Sequence, residues 1–352
     1  MRKLASVQRI INIEDIPGAD RIQVATCLGW KCVIGKNEFK VGDLVVFIEV
    51  DSFLPILPEY EFLRKSCYKK LENGEEGYRI KTHKFKGQIS QGLILPLSTL
   101  EGKKYPSDTR ENSRYDFKEG QDVTDLLQIK KYEPYIPPSL SGEIKGAFPF
   151  FLPKTDEIRI QSQPEVLNEI LNIHLYISVK LDGTSGTFYS YNGEFGVCQR
   201  NLELKENKDN AFWKIAEKYS LKEKLSNLGF NIAIQGELMG PKIQGNKLGL
   251  TDISCFFFNV FDIDKRIYYD YKDFVNFCKD LGIKTVPIVE ENIIFDSITI
   301  YQLIEMSKGY HSNNIHWEGI VIRPMIETYS EVLRGRLSFK IVNPDFLLKY
   351  GE

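Results

Sequence analysis

The chain has 352 residues, a formal net charge of -2 and 27% charged residues. This length allows two domains with separate cores, and the balanced charge excludes binding to nucleic acid through overall basicity. No apolar run is long enough to cross a membrane, no signal-peptide core is present, and the six cysteines are scattered without a C-x-x-C pair. We expect a cytoplasmic monomer that does not bind membranes and has neither a zinc site nor disulfides.

Residues 1–135 have the pattern of short strands separated by turns. Apolar runs at 7–13 and 42–48 are typical of strands, and a short helix is predicted near 59–65. Many short strands at regular spacing predict a small β-barrel. Pro134, Pro137 and Pro138, followed by a serine- and glycine-containing stretch, predict a linker over residues 136–146.

This first segment contains one local basic patch. Its cations are Arg79, Lys81, Lys84 and Lys86, and Tyr78 and Phe85 lie among them. Basic residues interleaved with aromatic ones are typical of surfaces that bind single-stranded nucleic acid. The alternative is a solvated strand edge. We predict that these four cations bind nucleic acid.

Residues 147–352 are predicted to form longer strands with helices between them. Helical periodicity covers 210–228, 270–281 and 297–306, and Gly229 and Gly282 end the first two helices. Apolar strands are predicted at 232–237, 254–263, 317–323 and 337–342. The pattern indicates a mixed α/β domain with largely antiparallel sheets, which makes the whole protein α+β.

The stretch V-K-L-D-G-T-S at 179–185 contains the candidate catalytic residue, Lys180. Leu175, Ile177 and Val179 alternate with polar residues, as in a half-buried strand, and the chain turns after Lys180. Asp182 would lie on the same face as Lys180. A lysine attacks only as a neutral amine, so its pKa must fall from about 10.4 through desolvation or nearby cations. For this motif alone, the alternative is a surface lysine beside a tight turn.

Four further motifs follow in order: R-N from Arg200, G-E-L-M-G-P around Glu237, E-G-I-V-I-R-P from Glu318, and S-F-K-I-V-N around Lys340. Together with K-L-D-G they resemble the motifs of the covalent nucleotidyltransferases, which include ATP-dependent RNA ligases, DNA ligases and capping guanylyltransferases. A barrel that precedes the transferase domain is most similar to the RNA ligases with an N-terminal OB domain. No P-loop motif is present.

The resemblance implies an ATP-dependent RNA ligase that acts in RNA repair and in which Lys180 carries AMP. It also implies that carboxylates hold a hydrated Mg²⁺ or Mn²⁺: Asp182, Glu237 and Glu318. The implied ATP-binding residues are Glu157, Arg159, Asp182, Gly183, Arg200, Glu237, Phe261, Glu318 and Lys340. The chain departs from the family pattern at Ser338, where a lysine is frequent. Either Arg336 or Lys349 supplies the missing cation, or the site does without it.

Several of these assignments have structural alternatives. Phe261 lies in an apolar stretch typical of a core strand, Glu157 and Arg159 could mark a capped helix start, and Arg200 could belong to a structural ion pair. At the level of function, the alternatives are a DNA ligase, a capping-type enzyme, or a non-catalytic nucleic-acid-binding protein with an OB domain.

Overall fold

The computed structural model describes residues 3–71, 73–108, 115–132 and 143–351. The chain divides into two compact units. The first comprises Met1–Tyr135, Gln161–Pro164 and Pro344–Glu352, and the second Ile136–Ile160 and Glu165–Asn343. The chain therefore returns twice to the first unit after leaving it. Residues 136–142 of the predicted linker lie outside the described residues, and the division into 1–135, 136–146 and 147–352 stays a prediction.

The first unit is built mainly from antiparallel strands. In chain order they are β1 (Ala5–Asp15), β2 (Ile22–Cys27), β3 (Trp30–Gly35), β4 (Leu44–Ile48), β5 (Ser52–Leu54), β6 (Tyr68–Lys70), β7 (Glu76–Arg79), β8 (Thr82–Phe85), β9 (Gln88–Gln91), β10 (Leu93–Pro96) and β11 (Lys130–Lys131). The predicted helix near 59–65 is a 3₁₀ turn, Pro58–Leu63, that continues into α1 (Arg64–Cys67).

The long strand β1 connects the strand pairs of the first unit. It pairs with β4 at one end and with β2 at the other, and an irregularity between Ile10 and Asn12 separates the two pairings. A bulge of this kind bends a strand, which lets one sheet curve toward closure. Within the described residues the sheets have the orders β10-β4-β1-β2-β3 and β11-β5-β7-β6, with β8 and β9 as a separate hairpin.

The second unit contains two larger sheets. Its strands are β12 (Ile144–Ala147), β13 (Ile158–Arg159), β14 (Leu175–Lys180), β15 (Thr184–Tyr191), β16 (Glu194–Gln199), β17 (Leu202–Leu204), β18 (Ile232–Met239), β19 (Ser254–Asp262), β20 (Ile267–Tyr268), β21 (Ile288–Ile293), β22 (Gly319–Pro324), β23 (Tyr329–Ser330), β24 (Gly335–Arg336) and β25 (Phe339–Val342). Among the described residues, the sheet orders are β12-β17-β16-β15-β18-β19-β20 and β13-β25-β22-β14-β21.

The helices of the second unit follow the predicted pattern with one break. They are α2 (Ala211–Lys218), α3 (Leu221–Ser226), α4 (Tyr271–Asp280) and α5 (Ile300–Met306). The single helix predicted over 210–228 is divided because Ser220 adopts a left-handed conformation, with φ of 51°. Gly282, with φ of 62°, follows the end of α4 as predicted. A capping box of Thr299 and Gln302 begins α5.

The last helix, α6 (Pro344–Tyr350), belongs to the first unit and packs against β8. Its Phe346 and Leu347 are buried. Throughout the part of the chain that the structure describes, no helix has the length and apolar character that a membrane span requires.

The sheet β13-β25-β22-β14-β21 has two chemically distinct faces. Ile177, Ile322 and Phe339 are register partners and lie in one fully buried apolar cluster. The alternate positions Ser178, Val321 and Lys340 are also register partners, and they lie on the opposite face. Lys180 shares that second face, because it lies two residues beyond Ser178 on the same strand. The candidate active site is built on this polar face.

Candidate active site

Lys180 is the last residue of β14, and strand register brings a carboxylate to it. It pairs with Gly319, the first residue of β22, so Glu318 lies directly beyond the pairing. The Lys180 Nζ donates a hydrogen bond to Glu318 Oε2 at 2.5 Å. A Cβ atom at Gly319 would meet the backbone oxygen of Ile341 at 2.1 Å. The glycine of the E-G motif therefore lets three strands approach closely beside the lysine.

The surroundings of Lys180 favour its charged form. Burial alone would lower the pKa of Lys180, but the carboxylates of Glu318, Glu237 and Asp182 outweigh burial and raise the pKa above its ordinary value. The side chain is an ammonium in this state, opposite to the neutral amine that nucleophilic attack requires. A further cation in the site would lower the pKa of Lys180 and favour the neutral amine.

Glu237 approaches from the neighbouring sheet. It lies on β18, and its Oε1 accepts a hydrogen bond from the backbone N of Gly183 at 3.1 Å. A Cβ atom at Gly183 would meet the backbone oxygen of Leu238 at 2.2 Å, so only glycine allows this approach. Burial, opposed by Lys180 and reinforced by the other carboxylates, raises the pKa of Glu237 to about 8.

Asp182 has a partner that the sequence analysis did not predict. Its Oδ2 lies 2.5 Å from Lys247 Nζ, and the two side chains are 15% and 14% exposed. Lys247 follows Gln244, Gly245 and Asn246, which have φ of 43°, 70° and 46°. Left-handed backbone at non-glycine residues is costly and concentrates at functional sites. The K-I-Q-G-N-K stretch after Glu237 was the available signal.

The carboxylates suit a hard divalent cation. Asp182, Glu237 and Glu318 all offer oxygen ligands, which Mg²⁺ and Mn²⁺ prefer. The pKa of Glu237 is raised by burial and, to a smaller extent, by the neighbouring carboxylates, and a bound cation would favour the ionised form. The described residues contain no group of three or more His, Cys, Asp or Glu side chains placed to hold an ion directly. A hydrated ion held through its waters therefore stays the prediction.

A cavity of about 180 Å³ lies beside the polar face. Its lining comes from the segment before and within β13, from β19 and β20, and from the residues around β24, and includes Glu157, Asn259, Tyr268, Arg336 and Ser338. Arg336 lies over the ring of Tyr268 at 4.0 Å and pairs with Glu327. The cavity has charged, polar and aromatic residues in its lining.

Buried Arg323 organises the wall of this cavity. Its guanidinium donates to Glu157 Oε1 at 2.7 Å, to Ser338 Oγ at 2.8 Å and to the backbone oxygen of Phe258 at 3.0 Å. Burial would raise the pKa of Glu157, but Arg323 and Arg336 outweigh it, and the pKa is lowered. The structure thus gives Glu157 an ion pair, while its predicted contact with ATP stays untested.

The position of Ser338 is explained by the same contacts. A cation is already present there, because Arg323 is hydrogen-bonded to Ser338. Of the two predicted replacement cations, Arg336 lines the same cavity, whereas Lys349 lies in α6 of the first unit. The sequence analysis did not single out Arg323, although it is the arginine of the E-G-I-V-I-R-P motif.

The remaining predicted ATP-binding residues occupy varied environments. Arg159 and Lys340 are register partners on the parallel strands β13 and β25. Arg200 is exposed and forms an ion pair with Asp156, the alternative considered above. Phe261 is 6% exposed and contacts Tyr268 edge-on, with ring centroids 5.0 Å apart. Its role in ATP binding stays a prediction, and Tyr268, which lines the cavity, is a second aromatic candidate.

The predicted basic patch of the first unit is spread over several elements. Arg79 ends β7, is 17% exposed, lies 3.3 Å from Asp51 and covers the ring of Tyr132. Lys81 lies between β7 and β8, whereas Lys84 and Lys86 are exposed on the β8–β9 hairpin and its turn. The structure therefore presents two of the four cations prominently to solvent.

Comparison with known proteins tests the resemblance. An OB-fold domain model matches residues 4–97, and an RNA ligase model matches residues 173–342. Both matches agree with the order of domains predicted from the motifs. No curated protein matches the chain.

Several solved structures of a Naegleria gruberi RNA ligase are similar along the whole length. The structure with pyrophosphate is 36% identical, with a TM-score of 0.86, and the alignment covers 100% of this chain and 99% of that one. A mutant with ATP and manganese is 35% identical, with a TM-score of 0.87 and 100% coverage of both chains. A mutant with AMP and manganese is 36% identical, with a TM-score of 0.86 and 99% coverage of both. The resemblance to RNA ligases with an N-terminal OB domain is confirmed, and the chain belongs to the RNA ligase family.

Proposed function

We propose that this protein is an ATP-dependent RNA ligase that joins a 3′-hydroxyl end to a 5′-phosphate end and acts in RNA repair. The observation that carries the proposal is the contact of Lys180 with Glu318, with Glu237 and Asp182 close enough to affect its pKa. The Naegleria gruberi RNA ligase, similar over its full length, has been solved with ATP, with AMP and with pyrophosphate.

In the first step, Lys180 Nζ attacks the α-phosphorus of ATP. An N–P bond forms, the bond to the β-phosphate oxygen breaks, and pyrophosphate leaves. The ammonium must first lose a proton, and Glu318 Oε2 accepts its hydrogen bond and is placed to receive that proton. A divalent ion bound among the carboxylates would offset their charge, lower the pKa of Lys180 and neutralise part of the phosphate charge.

The basic residues near Lys180 suit the phosphates of ATP. Lys340 shares the polar face with Lys180, and Arg159 is its register partner on β13. We assign both to the phosphates of ATP. Arg200 is assigned to the triphosphate or to the acceptor 5′-phosphate, since its exposed ion pair with Asp156 costs little to break.

Two transfers complete the reaction. An oxygen of the RNA 5′-phosphate attacks the lysyl-AMP phosphorus, so the N–P bond breaks and Lys180 regains its amine. The 3′-hydroxyl then attacks the adenylylated 5′-phosphate, forms the phosphodiester and releases AMP. Neither transfer needs a new nucleophile from the protein. The exposed cations of the first unit, Lys84 and Lys86, are assigned to the RNA backbone.

A labelling experiment tests the proposal. The protein is incubated with ATP labelled at the α-phosphate and with Mg²⁺ or Mn²⁺, and is then separated on a denaturing gel. We expect label on the protein, and its transfer to 5′-phosphorylated RNA in a chase. GTP labelled in the same way should leave the protein unlabelled, because only a capping-type enzyme would form a covalent intermediate with GTP. A protein that takes no label from ATP, or that passes it to DNA ends only, would contradict the proposal.

A further inference from the structure

Phe150 is the most exposed large apolar side chain among the described residues, with 93% of its surface accessible. It lies in the F-P-F-F stretch at 148–151, which the functional assignment above does not use. Exposing a whole phenyl ring to water is unfavourable relative to burial. The ring is therefore a candidate contact for a bound molecule.

The backbone around Phe150 is ordered by local contacts. The N–H of Leu152 donates to the backbone oxygen of Pro149 at 3.1 Å, which closes a turn with Phe150 near its apex. Leu152 is buried in an aromatic cluster with Tyr189 and Phe261. One side of the turn is thus anchored in the core while Phe150 projects from it.

Phe150 belongs to a series of aromatic rings in contact with one another. Phe151 stacks on Tyr191 with ring centroids 4.1 Å apart and an interplanar angle of 19°. Phe150 meets Phe151 edge-on, with centroids 5.6 Å apart. Phe150 is therefore the outer end of a series of aromatic contacts that begins in the core.

Cations lie near Phe150 in the chain and on the segment that pairs with Phe148. The backbone N of Phe148 donates to the backbone oxygen of Asn201, and Lys154 Nζ donates to the Asn201 side chain at 3.3 Å. Phe150 therefore belongs to a short segment that is fixed on both sides to Asn201, the neighbour of Arg200. Arg200 is 42% exposed, and its ion pair with the exposed Asp156 is weak enough to exchange for a phosphate.

An aromatic face beside exchangeable cations matches a nucleotide better than a protein surface. Base–aromatic stacking is the usual way in which proteins hold unpaired nucleotides, and nearby cations take the phosphates. A protein partner would instead require a contiguous apolar patch, and the side chains named around Phe150 include Lys154, Arg200 and Asp156.

We propose that Phe150 is a stacking platform for an unpaired base of the RNA substrate, next to the 5′-phosphate that Arg200 binds. This inference rests on the proposed ligase function and locates part of its RNA site. Phe150 touches neither Lys180 nor any carboxylate of the active site in the contacts described above, so it acts on RNA and not on the transfer of AMP from ATP.

The test measures RNA affinity and AMP transfer separately in the full chain. Variants are Phe150→Ala, Phe150→Trp as the conservative replacement, and Tyr301→Ala as the control, since Tyr301 is 69% exposed on α5 of the same unit. The ligand is a 5′-phosphorylated single-stranded RNA with a fluorophore at its 3′ end, and the dissociation constant is measured by anisotropy without ATP.

We expect Phe150→Ala to weaken RNA binding by about 5- to 140-fold, the range that corresponds to loss of one stacked base. Phe150→Trp should restore binding, Tyr301→Ala should not change it, and lysyl-AMP formation should be unaltered in all three. RNAs in which each of the first few nucleotides in turn is abasic should reveal one position at which Phe150→Ala has no further effect.

Two outcomes would overturn the inference. One is RNA affinity in Phe150→Ala equal to that of the native protein, which would leave a protein partner as the occupant. The other is an effect of Phe150→Ala that persists with every abasic RNA, which would mean that the ring contacts no base. Failure of the native protein to form lysyl-AMP would refute the proposed ligase instead, and the two failures are thus distinguishable.

Discussion

The active site and the basic patch of the first unit were both predicted from sequence. The fold brings predicted residues of the active site into contact, but it separates the residues of the basic patch. Lys180 and Glu318 are separated by 138 positions in the chain, yet their side chains meet. Arg79 and Lys86 lie within a few residues of each other, yet one is paired in a half-buried position and the other lies in an exposed turn. Closeness in sequence does not create a site.

The reason for this difference is strand geometry. The four cations of the patch lie on different elements, at the end of β7, between β7 and β8, on β8 and in the turn after it, so they do not share one strand face. Residues at corresponding ends of neighbouring strands are brought together by register, as Lys180 and Gly319 are. Motifs at strand ends are therefore better indicators of a site than local charge density.

Among substitutions in the active site and the basic patch, loss of the Lys180 amine should reduce ligase activity most. Lys180→Ala should abolish AMP labelling, and Lys180→Arg should fail as well, because a guanidinium stays protonated and does not attack. Labelling with α-phosphate-labelled ATP measures this. Sealing of RNA that already carries a 5′-adenylyl group is the control, since that step breaks no bond to Lys180. Residual label on either variant would place the nucleophile elsewhere.

Removing one carboxylate from the site should rank next. Glu237→Ala and Glu318→Ala should each lower the rate of lysyl-AMP formation by about 100-fold or more, because both are assigned to the hydration shell of the metal and Glu318 also accepts the proton of Lys180. Single-turnover labelling at several Mn²⁺ concentrations gives the rates. Glu305→Ala, on exposed α5, is the matched control. An unchanged rate at low metal would remove that carboxylate from the site.

The pKa of Glu237 predicts how stability depends on pH. Its folded pKa of about 8 exceeds the ordinary value of 4.5, so the folded state binds more protons than the unfolded state between these limits. The stability that protonation of Glu237 provides is complete below about 4.5 and is lost as the pH rises through about 8. In metal-free buffer, Glu237→Gln should therefore gain stability over the native protein as the pH rises from 5 to 9.

Urea unfolding across this pH range measures the difference. It should be smallest near pH 5 and reach the order of a few kcal/mol near pH 9, since one unit of pKa corresponds to about 1.4 kcal/mol. Mn²⁺ should stabilise the native protein more than Glu237→Gln. Parallel stability curves for the two proteins would mean that Glu237 is ionised in the folded state at every pH tested.

Lys247 provides a smaller test of the same site. Its ammonium holds Asp182, so Lys247→Met should free that carboxylate for a metal and increase the affinity for Mn²⁺ several-fold. Calorimetric titration with Mn²⁺ in the absence of nucleotide measures this. Lys242→Met, an exposed lysine of the same loop, is the control. Equal affinity in both variants would show that Lys247 does not compete with the metal.

The basic patch should respond most weakly, and unequally. Lys84→Ala combined with Lys86→Ala should reduce RNA affinity and make its salt dependence shallower, by about 0.7 in the logarithmic slope per lost single-strand phosphate contact. Arg79→Ala should instead reduce stability by about 1 kcal/mol, through loss of its contacts with Asp51 and Tyr132, with little change in slope. If both variants changed the salt dependence of RNA affinity equally, Arg79 would also contact RNA.

The sequence predicted what depends on local pattern. Apolar alternation predicted β14, and a glycine at 282 predicted the end of α4. The break at Ser220 was missed because serine seldom adopts a left-handed conformation and nothing in its neighbours indicates one. Lys247 and Arg323 were missed for another reason. Their partners, Asp182 and Glu157, lie 65 and 166 positions away, and only the folded chain reveals such pairs.

Because the chain returns to its first unit at α6, a truncation between the two units separates α6 from the residues it packs against. A fragment that begins near Gly146 keeps α6 but loses the unit to which α6 belongs, so Phe346 and Leu347 would become exposed to water. A fragment that ends near residue 135 lacks the same helix. Since α6 packs against β8, a premature stop codon before Pro344 would remove a packing partner of the strand that carries Lys84, although the two lie far apart in the sequence.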